Sequence, residues 1–345
     1  MSHILRHLIW GSILLIAIAT TIYFGMAKRA IAPEKNTSEA QEEIQEGEIE
    51  VERETAFDNI GLTTNTAIAS LDLKEILGGG PVKDGIPAIT DPSFISIEAA
   101  NDWLDDEGLG ILYAQGEMVR FYPYAILYWH EIVNNQIGDE SIAVTFCPLC
   151  GSALIFEAGD DVFGVSGKLW ESNLLMYDQK TESLWSQILG EAVVGDRTGE
   201  TLRILDANVI SFAELKASYP NAEVLDKDTN NPRDYGQSPY GNYETNDDLY
   251  FPISETNEAF SKKELFHVVI LENTTVGFHR NDLLEKGTAV IQVGENIIKA
   301  RVEDGRVIIT KNDSDETLPG LVTMWFSWVT HFDQERVVWP ASSES

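Results

Sequence analysis

The chain carries two cysteines, Cys147 and Cys150, spaced two residues apart in Phe146-Cys-Pro-Leu-Cys-Gly151. That spacing lets two sulfurs meet each other or one shared ion. Three uses follow. A dithiol/disulfide couple cycles two electrons. A metal knuckle supplies two thiolates to one zinc, copper or iron ion and needs further ligands to close the shell. A structural disulfide or an inert buried pair does no chemistry and acts as a staple. In thioredoxin-like pairs the first sulfur sits at a helix N-terminus, whose dipole stabilises the thiolate. Here the segment after the pair, Gly151-Ser-Ala-Leu-Ile-Phe156, reads as strand, which disfavours that fold. All three uses stay open, and flanking strands suit the knuckle.

His130 is the candidate third metal ligand with Cys147 and Cys150, or a base acting on Cys147. Glu131, Asp160 and Asp161 are candidate oxygen ligands. Against this, a histidine in Tyr128-Trp129-His130-Glu131 on a helix also reads as a hydrogen-bonded, partly buried imidazole. Arg233, Asp234, Tyr235 and Tyr240 form a second candidate group. Their donors and rings suit the wall of a ligand pocket near the cysteines, or a loop pinned by tyrosine hydroxyls. Asp226-Lys227-Asp228-Thr229-Asn230 opens like a calcium loop, but Asn231 and Gln237 stand where glycine and glutamate are needed. No Gly-x-Ser-x-Gly elbow surrounds Ser166, so hydrolase chemistry has little support.

The elements that must hold these residues are short. Leu109–Tyr113 and Glu117–Phe121 read as a hairpin across Ala114-Gln115-Gly116. Pro123 opens a helix through Ile132–Val133. Short helices are also expected near 97–104, with Ser96 as N-cap, and 211–218. Strands 142–146 and 153–156 should form a hairpin with the cysteines at its tip. Gly151 would supply the positive φ such a turn can need. The helix carrying His130 precedes that hairpin by one short loop, which should bring the imidazole toward the sulfurs.

Composition bounds the rest. The chain has 345 residues and a net charge of −32, which repels phosphate backbones and argues against nucleic-acid partners. Residues 8–27 hold no charge, enough helix to span about 30 Å of hydrocarbon. Lys28 at the −3 position of a cut after Ala30 disfavours a cleaved signal. Nine glutamates and no aromatic residue fill 31–55, which reads as an acidic tether. The expected partner is therefore a membrane, with the body outside the cytoplasm, periplasmic or at the cell surface.

The chain also resembles itself. Met118–Leu127 is similar to Thr275–Leu284, and Ser211–Leu225 to Met324–Val338. The second copy lacks cysteine.

Several motifs recur in order: Trp129-His-Glu-Ile-Val-Asn134, Phe146-Cys-Pro-Leu-Cys-Gly-Ser-Ala153, Phe163-Gly-Val-Ser-Gly167, Thr181-Glu-Ser-Leu-Trp-Ser-Gln187 and Arg233-Asp-Tyr-Gly236. Together they resemble a prokaryotic domain-of-unknown-function family, number 3179, over roughly residues 85 to 340. The resemblance implies an exported or anchored body and no particular activity. The expected architecture is α+β: mainly antiparallel strands with short helices, in two weakly related modules, after an N-terminal transmembrane helix. The expected division is an anchor at 1–30, a tether at 31–56, a main module with the Cys-x-x-Cys site at 57–250, and a shorter related module at 251–345. The functional expectation is transition-metal binding or thiol redox at the cysteines. The alternative is a non-enzymatic ligand-binding or scaffold module in which they act as a staple.

Overall fold

A computed structural model of the chain describes residues 61–340 apart from 232, 313 and 315. The expected anchor and tether lie outside the described residues. Among the described residues no helix is long and apolar enough to cross a membrane. The fold is built from mostly antiparallel strands in four sheets, with short helices at strand ends.

Gly and Asp turns keep the strands short, and each strand pair closes locally. Leu109–Gln115 pairs antiparallel with Met118–Pro123 and with Asn208–Ser211. Glu223–Leu225 then joins Met118–Pro123 in parallel. The same plan recurs later. Leu265–Ile270 pairs antiparallel with Thr274–His279 and with Gly320–Met324, and Glu335–Trp339 joins Thr274–His279 in parallel. A seven-residue helix follows the second strand in each case, Tyr124–His130 and Arg280–Lys286. A three-stranded meander comes next in each case. One is Ile132–Ile137, Glu140–Cys147 and Ser152–Glu157. The other is Thr288–Val293, Asn296–Glu303 and Arg306–Lys311. The chain thus holds two copies of one strand order.

The copies are joined rather than separate in sheet terms. Val322 pairs with Ala153, which merges the first meander and the second copy's strands into one eight-stranded sheet. Strands from both sides of residue 250 share it.

Two helix boundaries differ from the sequence reading. The helix expected through Val133 stops at His130, because Glu131 turns left-handed at φ 57° and Ile132 enters a strand. Near 97–104 only Ile97–Ala100 is α-helical, capped by Ser96. At Phe212–Ser218 the cap is a full capping box, with Ser211 and Glu214 bonded reciprocally.

The first copy carries an insertion that the second lacks. Phe163–Trp170 and Asn173–Asp178 form a hairpin whose turn, Glu171-Ser172, holds both residues at positive φ. Tyr177, Val165 and Met176 pack this hairpin between two core clusters. Its inner face covers the cysteine-bearing meander, with Ala143, Cys147, Cys150, Leu169, Leu174 and Met176 in one cluster.

Candidate thiol site

The turn between Glu140–Cys147 and Ser152–Glu157 holds the sulfurs. The chain reverses through Cys150 N–H to Cys147 O at 3.2 Å, and Gly151 sits at φ 54°. A side chain at Gly151 would press on Leu265 and Met324 at 3.1 Å, so glycine serves both the dihedral and the close approach. The two cysteines are 4.0 Å apart and free. Both are buried, Cys147 at 2% exposure and Cys150 at 0%.

The covering hairpin supplies their hydrogen-bond acceptor. Cys150 Sγ donates to Ser172 O at 3.3 Å, and Cys147 Sγ lies 3.9 Å from the same oxygen. The two left-handed residues of the Glu171-Ser172 turn aim that carbonyl inward. Neither is glycine, so the turn holds a conformation costly for its residue types. It is fixed by Ser172 Oγ donating to Phe251 O at 3.0 Å and by Ser254 N–H donating to Glu171 Oε2 at 2.7 Å. Below it a fully buried network joins the two hairpins. Asn173 Nδ2 donates to Ser152 Oγ at 3.1 Å and to Gln187 Oε1 at 3.0 Å, and Gln187 Nε2 donates to Thr145 Oγ1 at 2.9 Å. Satisfied buried networks of this kind fix one arrangement of a core.

Beside the sulfurs lies a cleft of about 740 Å³, lined by Glu131, Leu149, Leu174, Tyr128, Trp129 and Tyr240 among others. Glu131 is its ionisable centre. It is 6% exposed, and Tyr240 Oη donates to its Oε1 at 2.8 Å. Burial pushes the Glu131 carboxyl up to about 7, with the Tyr240 bond acting the other way. Cys147 is raised by burial first, then by its neighbour Cys150, then by the charge of Glu131; a backbone hydrogen bond from Leu174 opposes this. Tyr240 is raised by burial and by Glu131. Glu131, Tyr240 and Cys147 therefore feel one another's charge.

His130, the candidate third ligand, has partners at both ring nitrogens. Its Nδ1 bonds to Pro87 O and its Nε2 to Tyr235 Oη, each at 2.7 Å. Both ring nitrogens are engaged by protein, and burial, the largest cause, lowers its pKa. Among the described residues no three His, Cys, Asp or Glu groups converge to hold a metal ion. Asp161 is paired with Lys180 and Arg197 at 2.9 and 2.8 Å.

The second candidate group splits. Tyr240 and Arg233 line the cleft. Tyr235 holds His130 instead, and the Asp234 side chain accepts Gly236 N–H within its own exposed loop. Glu131, a candidate oxygen ligand, lines the cleft beside the sulfurs. Ser172, Asn173 and Gln187, which position the thiols, carried no chemical signal of their own in the sequence.

A family model described as Protein of unknown function (DUF3179) matches residues 83–317, about two-thirds of the chain and all of this site. No curated protein and no solved structure matches the chain.

Proposed function

The chain belongs to the DUF3179 family of proteins of unknown function, and for this member we propose thiol–disulfide redox chemistry at Cys147 and Cys150. The observation that carries this reading is two free sulfurs 4.0 Å apart in one tight turn. A disulfide is about 2.05 Å long, so closure needs roughly 2 Å of sulfur movement.

In this reading Cys147 is the attacking sulfur, and Glu131 is the carboxylate whose charge acts on it. Glu131 accepts the Cys147 proton, as an acid near 7 can. The thiolate attacks a substrate disulfide, forming a mixed disulfide, and the leaving thiolate takes the proton back from Glu131. Cys150 then attacks Cys147 Sγ and expels the second substrate thiol with its own proton. Two electrons and two protons pass from the protein to the substrate, and the protein keeps the disulfide. Burial opposes the thiolate, so the reduced form gains none of the thiolate stabilisation that makes a strong oxidant. The couple should sit nearer the reducing, thioredoxin-like end, at about −270 mV, than near −120 mV.

We extend the proposal to place. The uncharged run at 8–27 and the glutamates after it support a membrane-tethered body outside the cytoplasm, where such a couple would meet oxidised thiols.

The test is oxidation of the reduced chain with glutathione disulfide, followed by mass measurement and thiol titration after unfolding. The expected result is loss of two hydrogen masses and of both titratable thiols. Cys147→Ser and Cys150→Ser should each abolish it. Two thiols still free after prolonged oxidation would overturn the redox reading in favour of a staple. Metal retained at one ion per chain and lost in either variant would restore the metal reading.

A further inference from the structure

Four aromatic residues line the cleft beside the sulfurs: Tyr128, Trp129, Tyr240 and Tyr250. The polar end of each is already engaged by the protein. Tyr128 Oη donates to Glu244 Oε1, and Trp129 Nε1 donates to Gln237 O at 3.1 Å. Tyr240 Oη donates to Glu131 Oε1 at 2.8 Å, and Tyr250 Oη donates to Tyr240 O at 3.1 Å. Each of these groups has a single N–H or O–H to give, so all four donors are in use. What the rings have left to offer a ligand is apolar surface and π faces. Tyr250 is 52% exposed, so it stands where the cleft opens to solvent. The charged members of the lining, Glu131, Lys168 and Arg233, carry both signs, so charge alone selects little here.

The inner wall of the cleft is built from residues that bear on the thiols. Leu149 lies between the two cysteines in their turn. Leu174 gives Cys147 a backbone hydrogen bond, and the charge of Glu131 acts on Cys147. All three line the cleft, whose volume of about 740 Å³ suits a small ligand or a short side-chain group.

We propose that the cleft selects the substrate of the thiol pair: a disulfide flanked by an uncharged aromatic ring. This rests on the redox reading and names its substrate class. The ring packs among the four aromatic residues in offset or edge-to-face contact. That contact holds the neighbouring disulfide beside Cys147 for attack. Cys147 Sγ bonds to one substrate sulfur as the substrate S–S bond breaks, and the departing thiolate takes the proton that Glu131 received from Cys147. A hydroxylated group in place of the ring meets donors that are already in use and gives up its water without replacement.

The test uses the reduced full chain and the symmetric disulfides of two blocked dipeptides, phenylalanyl-cysteine and seryl-cysteine. Both are uncharged and differ only in the ring. Each oxidation rate is divided by the rate of the same disulfide with free dithiothreitol, which removes intrinsic reactivity. The aromatic disulfide should react at least about tenfold faster on this scale, as apolar pocket contacts of this size discriminate. Tyr250→Ala and Trp129→Ala should each bring the ratio down towards one. Equal normalised rates, or a faster seryl disulfide, overturn the inference and leave the redox reading standing. A tenfold ratio that survives in both variants puts the ring outside this cleft and also overturns it. Oxidation by neither disulfide, nor by glutathione disulfide, removes the redox reading and the inference with it.

Discussion

The two meanders are built alike and finished differently. In the first, Ile132 pairs with Thr145 and Ile137 with Glu140; in the second, Thr288 pairs with Arg301 and Val293 with Asn296. The registers match residue for residue. Ile142 and Val144 thus match Ile298 and Ala300, and all four are buried. The opposite face diverges. Ala143, Thr145 and Cys147 are buried, whereas their counterparts Lys299, Arg301 and Glu303 are partly or fully exposed. The cause is the inserted hairpin, which covers the second face of the first meander only. A strand buried on both faces reads as a continuous apolar run, and one buried on a single face alternates. The turns differ too: Pro148–Gly151 in the first, Asp304-Gly305 in the second. The thiol site is what the covered face and the longer turn add to a common frame.

The sharpest way to break this comparison is to exchange matched residues. Thr145→Arg places the second meander's residue under the hairpin, where Thr145 has 0% exposure and its hydroxyl meets Gln187. A charge there has no partner and no room. The expected cost exceeds about 4 kcal/mol, enough to leave the chain largely unfolded by circular dichroism or insoluble. A stable, soluble Thr145→Arg protein would mean that the covering hairpin is loosely held.

A second contrast lies at the helix ends just before the meanders. Helix Arg280–Lys286 stops at Gly287 with φ 75°, the usual residue for a left-handed cap. Its counterpart in the first copy is Glu131 at φ 57°. The first copy keeps a buried acid where the fold accepts glycine. That acid is raised from its ordinary 4.5 to about 7. A carboxyl raised on folding gives stability that is full below its unfolded pKa and lost as pH rises through its folded one. Between about 4.5 and 7 the chain should lose on the order of 3 kcal/mol through Glu131. Asp206, raised to about 6, acts in the same direction, while His267 and His331, lowered to about 3 and 4, act oppositely as pH falls. The stability difference between Glu131→Gln and the parent isolates the one group. It should grow in the variant's favour from pH 4.5 to 8 in denaturant titrations; a flat difference would mean that Glu131 ionises freely.

Much of this was legible. Alternating short strands between Gly and Asp turns gave the α+β class. The paired motifs Met118–Leu127 and Thr275–Leu284 marked the recurring strand and helix, and Phe146–Gly151 marked the thiols. What stayed hidden was long-range. The partners of His130 come from far along the chain: Pro87 and Tyr235 hold its ring. The cover over the sulfurs comes from Ser172, whose left-handed turn contains no glycine to announce it. The split of the Arg233–Tyr240 loop was equally invisible, since only packing decides which tyrosine faces the cleft.

The reverse exchange, Arg301→Thr, should have the smallest effect and is the control that gives the first one meaning. Arg301 lies on the uncovered face, half exposed, and its Nε pairs with Glu303 at 3.2 Å. Such a surface pair contributes little, because solvent screens it and two long side chains lose freedom to form it. Threonine suits a strand through its branched side chain and replaces lost contacts with backbone fit. The two terms nearly cancel, so the change in unfolding free energy should stay within about 0.5 kcal/mol. Chemical denaturation of the two exchange variants side by side reads this directly. If Arg301→Thr proved costly, the second meander's outer face would be an occupied surface rather than a solvated one, and the asymmetry between the copies would need a partner to explain it.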